Sequence, residues 1–249
     1  MGSNSMRKQR QAERNWKPPQ IETLTQKQAT FVDHLTRHDC NIAIGPAGTG
    51  KTYVACAFAG QALFNKDVQN IVLTRPTVAV GRTMGFLPGD AKRKMAPWAR
   101  PLVEAFKAHM GAKKYEEATN QGNIKIEALE HIRGLTFDDS VMIIDEAQNT
   151  TPAEMKAFLT RIGNNSTVVL CGDIKQSDLH PTENGLAWAL AAHRRGLVRG
   201  VGLTEFTSAD TVRSELCRMW AEAFDVLEQN EEPDHQAGLR RTIQVAANR

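Results

Sequence analysis

The chain has 249 residues, 41% of them hydrophobic and 24% charged, with a formal net charge of +3 at pH 7. That length and apolar content suit one large α/β domain or two small ones and exclude a chain disordered throughout. No apolar run approaches the roughly 18 residues of a membrane-crossing helix and the first residues lack the apolar core of a secretory signal, so no membrane partner and a cytoplasmic location are expected.

Residues 1–19 carry Arg7, Lys8, Arg10, Arg14 and Lys17 against Glu13 alone, a basic flexible tail suited either to phosphate contacts or simply to solvation. A single folded domain is expected over 20–228, followed by a polar, flexible C-terminal tail over 229–249. The four cysteines, Cys40, Cys56, Cys171 and Cys217, match no zinc spacing and read as reduced structural thiols.

After Pro18-Pro19, residues 23–35 form a helical pattern with Thr25 as its N-cap. Within it Gln28 resembles the adenine-reading glutamine of helicase Q motifs, because a carboxamide both donates to and accepts from the adenine edge; the alternative is an exposed helical glutamine. Ile42-Ala43-Ile44 then reads as a buried parallel strand, and Val54 to Leu63 as an alanine-rich helix.

Between that strand and that helix lies Gly45-Pro46-Ala47-Gly48-Thr49-Gly50-Lys51-Thr52, which satisfies the G-x-x-x-x-G-K-[ST] pattern in full. Its glycines let backbone N–H groups curl round a polyphosphate, Lys51 places a charge on the outer phosphates, and the Thr52 hydroxyl is a Mg²⁺ ligand. ATP and Mg²⁺ are therefore the expected cofactors. A glycine turn with an incidental lysine is the alternative.

Residues 68–74 form the next strand, and Arg75 to Asp90 a loop too rich in glycine and proline for a helix and long enough to be functional. Residues 91–110 resume helical character, with Pro97 and Pro101 expected to interrupt it, while 111–123 read as polar and exposed. Strands follow at 124–129 and 140–145. The second of these ends in Asp145-Glu146, a Walker B pair: Asp145 to hold the Mg²⁺ shell and Glu146 to polarise the attacking water. Two carboxylates capping the next helix are the alternative.

Thr150 or Thr151 caps a helix with Pro152 at its first position and Glu154 close behind, running to Arg161. Residues 166–171 are the fifth strand, and Gly172 to Gln176 emerge beside the Walker B end, so that Gln176 would sense the γ-phosphate and Asp173 hold a water or the metal shell; an ordinary strand-to-helix turn is the alternative. A helix over 183–195, a strand over 197–206 and a helix over 209–228 complete an alternating order.

Five segments in sequence resemble the PhoH-like protein family: Gly45 to Thr52, Arg75-Pro76 with Gly85 to Asp90, Asp145 to Thr151, Phe158 to Gly163, and Gly172 to Gln176. The resemblance covers roughly 23–228, with departures at Arg82 and His180. It implies a RecA-like P-loop NTPase fold, mostly parallel sheet flanked by helices, and motifs similar to superfamily-one helicases. ATP hydrolysis coupled to RNA or another single-stranded nucleic acid is the activity it implies. One such domain makes a motor only beside neighbours, so a homo-oligomer is expected, a hexameric ring among its forms, with an arginine acting in trans. Arg161 and Arg213 are the candidates, each alternatively a salt-bridge partner on its own subunit. A nucleotide-gated switch with slow turnover is the competing reading, and a small-molecule kinase is disfavoured by Glu146 and Gln176.

Overall fold

In the computed structural model, residues 19–76, 91–129, 131–220, 222–224 and 226–227 are described. The Gly85 to Asp90 run, Arg82, residues 1–18 and the C-terminal tail lie outside them. The first helix, α1 (Gln26–Arg37), is capped by Thr25, whose hydroxyl accepts the Gln28 N–H, and leads into β1 (Cys40–Ile44). After the glycine loop come α2 (Lys51–Asn65), β2 (Asn70–Thr74), α3 (Ala91–Met110) and α4 (Ala112–Asn120). β3 (Ile124–Glu127), β4 (Ser140–Ile144), α5 (Pro152–Leu159), β5 (Thr167–Gly172), α6 (Gly185–Arg194) and β6 (Val201–Glu205) follow. Helix resumes only at 215, so the expected helix over 209–228 starts late; its first residues form a short 3-10 turn, Ser208–Asp210.

The six strands make one all-parallel sheet in the order β3-β2-β4-β5-β1-β6. Parallel strands need crossover helices, which cover both faces, and such strands read as continuous apolar runs. β4 shows the consequence residue by residue. Val141 and Ile143 enter one core with Phe31, Val54, Ala59 and Phe106 from α1, α2 and α3, while Met142 and Ile144 enter the other with Met155, Phe158 and Leu186 from α5 and α6. Ala43 of β1 and Ala55, Ala59 and Ala62 of α2 are small, which lets the helix that follows the glycine loop lie close on the sheet.

Two expectations are corrected. α3 runs through both prolines: each removes one helical hydrogen bond, but burial of Ala99, Leu102 and Phe106 on the following turns outweighs that loss. Residues 112–120, expected to be polar and exposed, form a helix that buries Tyr115 and Ala118, Tyr115 stacking on Phe106 with ring centroids 6.2 Å apart. α5 has the expected cap in full, a reciprocal box of Thr151 and Glu154 over Pro152, and ends at Leu159. Among the described residues no helix is long and apolar enough to cross a membrane.

Candidate nucleotide site

β1, β2, β4 and β5 all point their carboxyl ends to one edge of the sheet, and β5 lies between β1 and β4. The loops leaving them therefore meet in one crevice, where a ligand is expected in an open parallel sheet. A cavity of about 540 Å³ opens there, lined by Gly48, Lys51, Thr52, Arg75, Asp145, Glu146, Asp173, Gln176 and Arg213, with Tyr53, Pro101, Glu104, Ala105 and Ala108 forming a wall from α2 and α3.

The glycine loop is held tightly at its ends. Gly45 has φ +138° and packs so close to the segment after β6 that a Cβ would run into the Phe206 carbonyl, 2.8 Å from its carbon. Gly50 has φ +84°, and a Cβ there would meet the Gln28 amide nitrogen at 2.5 Å. Only glycine satisfies both demands. Lys51, 8% exposed, folds its ammonium back under the loop and donates to the carbonyls of Gly45 (2.6 Å) and Pro46 (2.8 Å), with Thr49 Oγ1 at 3.4 Å.

Across the crevice, the Thr52 hydroxyl donates to Asp145 Oδ1 at 2.6 Å, joining the first turn of α2 to the end of β4. A hydroxyl and a carboxylate at this separation are hard oxygen donors of the kind Mg²⁺ takes, with water completing its shell. Burial pushes the Asp145 carboxyl above its usual range and Glu146 adds to the rise, against the Thr52 hydrogen bond and the charge of Arg75. Burial also pulls the Lys51 ammonium below its usual range, offset by Cys171 and the carboxylates of Asp173, Asp145 and Glu146. Both shifts have one cause, a desolvated crevice in which each charge is under-compensated; a Mg²⁺-bound polyphosphate carries the charges that would complete both.

Glu146 sits in the left-handed region at φ 54°, ψ 40°, an uncommon conformation for a residue with a side chain. That kink turns its carboxylate into the crevice. Arg75 Nη2 donates to Glu146 Oε1 at 3.1 Å, and Arg75 Nη1 lies 3.9 Å from Asp145 Oδ2. The other oxygen, Glu146 Oε2, accepts from Gln148 Nε2 at 2.7 Å. Gln148 is 1% exposed, and its Oε1 accepts the backbone N–H of Asp173 at 3.0 Å. One buried carboxamide thus ties Glu146 to the loop after β5. From sequence alone Gln148 stands inside a motif with no role of its own; its place two residues beyond Glu146 is the available signal. Arg75, at the end of β2, likewise reads from sequence only as part of a loop.

The remaining expected residues separate. Asp173 and Gln176 line the cavity; the Asp173 carboxylate caps the 3-10 turn Ile174–Gln176 by accepting the Lys175 N–H at 3.1 Å. Arg213, expected to act on a neighbour, lies against its own glycine loop, its Nε 2.8 Å from where a Cβ on Gly48 would be, because Val212 N–H donates to the Gly48 carbonyl at 2.9 Å. Arg161 is away from the cavity, in the turn before β5 at the amino-terminal edge of the sheet, donating to the Leu135 carbonyl at 3.3 Å and to Thr160 Oγ1 at 3.2 Å. Gln28 does not line the cavity and is 3% exposed, so the exposed-glutamine alternative is excluded.

A family model described as PhoH-like protein matches residues 20–225. A PhoH-like protein of Bacillus subtilis (strain 168) is 42% identical over 214 residues, which take in 85% of this chain and 66% of that protein. The chain thus spans just under two thirds of that curated relative. Among solved structures, the large terminase of a thermophilic bacteriophage matches with a TM-score of 0.53 at 11% identity, over 78% of this chain and 48% of that one. The same terminase in complex with ADP matches with a TM-score of 0.50 at 13% identity, over 77% and 48%. At such identities the likeness is one of fold, and the fold is that of RecA-like P-loop NTPases.

Proposed function

The chain belongs to the PhoH-like protein family, and on that premise we propose that it is a Mg²⁺-dependent ATP phosphohydrolase whose turnover is coupled to a bound nucleic acid, RNA or another single strand. The observation that carries this reading is the bridge of Thr52 to Asp145 at 2.6 Å with Glu146 turned into the same crevice by its left-handed backbone. A kinase needs a phosphate cradle and a metal ligand; the added carboxylate beside them is what a hydrolase needs to take a proton from water.

In this reading, Gly45, Pro46, Ala47, Gly48, Thr49 and Gly50 wrap the polyphosphate, and Lys51 trades its carbonyl partners for β- and γ-phosphate oxygens. Thr52 and Asp145 would hold Mg²⁺, which when bound would supply positive charge to the phosphates. Glu146 orients the attacking water and accepts its proton, and a general base at such a place is worth about 10²- to 10⁴-fold in rate. Gln176, one turn from the Gly172 end of β5, reports the γ-phosphate to the loops around it. Arg213 acts on its own nucleotide, and in a ring-shaped homo-oligomer Arg161 is the residue left to reach a neighbour's.

One observation favours the slower, switch-like reading: both oxygens of Glu146 are engaged, one by Arg75 and one by Gln148. A carboxylate so held is a poor base until something draws Arg75 away. Phosphate release from ATP, measured alone and with single-stranded RNA or DNA and paired with solution mass, separates the two. Stimulation of tenfold or more in a multi-subunit species supports the motor; slow turnover in a monomer, indifferent to nucleic acid, supports the switch.

A further inference from the structure

Gln28 is committed at both ends of its carboxamide to the protein itself. Its Oε1 accepts the backbone N–H of Leu24 at 2.7 Å, and its Nε2 donates to the carbonyl of Thr49 at 3.0 Å. Its backbone N–H is fixed in turn by the Thr25 hydroxyl at 3.1 Å, which sets the start of α1. The amide nitrogen fills the space at Gly50 that a Cβ would otherwise occupy. The carboxamide keeps one N–H and one lone pair beyond these two bonds, but Gln28 is 3% exposed and forms no part of the cavity wall, so a base edge lying in the crevice does not meet it.

We propose that Gln28 is a positioning residue that braces the glycine loop, and that the site selects the triphosphate and not the base, so that GTP is bound about as well as ATP. The inference rests on the nucleotide-site reading above. The loop that Gln28 props carries Gly50 and Lys51, so its effect reaches the phosphates, which every nucleoside triphosphate shares. At the Gly48 side of the cavity the described chain presents Arg213, whose guanidinium stacks on any base face and discriminates little between them.

The test is binding of fluorescent ATP and GTP analogues to the full chain, with turnover of ATP and GTP measured in parallel, for wild type and Gln28→Ala. Wild type is expected to bind the two within about fivefold, and the variant to lose about tenfold for both alike. A wild-type preference for ATP of about fiftyfold or more, or a variant that loses ATP while keeping GTP, overturns the proposal, as does a variant that loses neither. Should Gln28→Ala melt too low to assay, the wild-type ratio alone decides. Binding of neither nucleotide would overturn the nucleotide site itself, and this inference with it; selective ATP binding would overturn only this inference.

Discussion

Replacing Gln148 by methionine keeps the volume of a buried side chain and removes both of its hydrogen bonds. The carboxamide packs against the end of β5, where a Cβ on Gly172 would come 2.6 Å from its Oε1, so an apolar chain of like size fits with little repacking. The backbone N–H of Asp173, which Gln148 accepts at 3.0 Å, is then buried without a partner, at a cost of about 1–3 kcal/mol. Glu146 adds little to that cost, since its side chain is 37% exposed and water can replace the lost donor. For a domain of this size the melting temperature should fall by about 2–12 °C. Turnover should fall further than stability accounts for, by about ten- to a hundredfold, because the carboxylate proposed as the base loses the tie that fixes its direction. ATP affinity should stay within about threefold, because Gln148 touches neither Lys51 nor Thr52. Thermal melting, equilibrium nucleotide binding and steady-state phosphate release on the same preparation measure all three. An unchanged melting temperature with unchanged kcat would refute the role of Gln148, and so would a loss of affinity as large as the loss of kcat.

Gly45→Ala puts a methyl into the Phe206 carbonyl at a φ of +138°, and should destabilise by about 2–4 kcal/mol in chemical denaturation while weakening nucleotide binding more than tenfold. Arg75→Gln removes the cation held 3.1 Å from Glu146 Oε1, and unstimulated phosphate release should rise a few-fold with ATP affinity nearly unchanged; a tenfold fall would instead place Arg75 among the groups that speed the chemistry. Burial lowers His109 below its usual value of 6.5, so the folded chain binds fewer protons than the unfolded one just below that pH. Its contribution is fully present above pH 6.5 and is lost as pH falls toward the lowered folded value. Melting followed from about pH 7 to about pH 5 should fall less steeply in His109→Met than in wild type, with His34, lowered by burial and by His38, keeping some slope in both.

The frame of the site was readable because its signals are local. A strand buried on both faces is apolar throughout, as Val141 to Ile144 are, and the glycines, Lys51 and Thr52 must be contiguous to wrap one phosphate chain. Caps were readable for the same reason: Thr25, and Thr151 with Glu154, act within a single turn. What was hidden depends on tertiary contact. α4 is polar in sequence and is a helix because Tyr115 reaches Phe106; α3 crosses two prolines because Leu102 and Phe106 are buried. Arg75 and Gln148 are ordinary polar residues until the fold brings each to its partner, and Gln28 and Arg213, singled out for a base and for a neighbouring subunit, both lie against their own glycine loop. A carboxamide on α1 and a carbonyl of the glycine loop, 21 residues apart, meet only in the fold.

The most direct measurement separates binding from chemistry at Glu146. In Glu146→Gln, ATP affinity and phosphate release would be followed on one preparation with Mg²⁺ present. The account predicts affinity within about threefold of wild type and phosphate release lower by about a hundredfold or more. Release persisting within about tenfold, or binding and turnover lost together, would contradict it, because the carboxylate that Arg75 and Gln148 hold in the crevice would then not be the base.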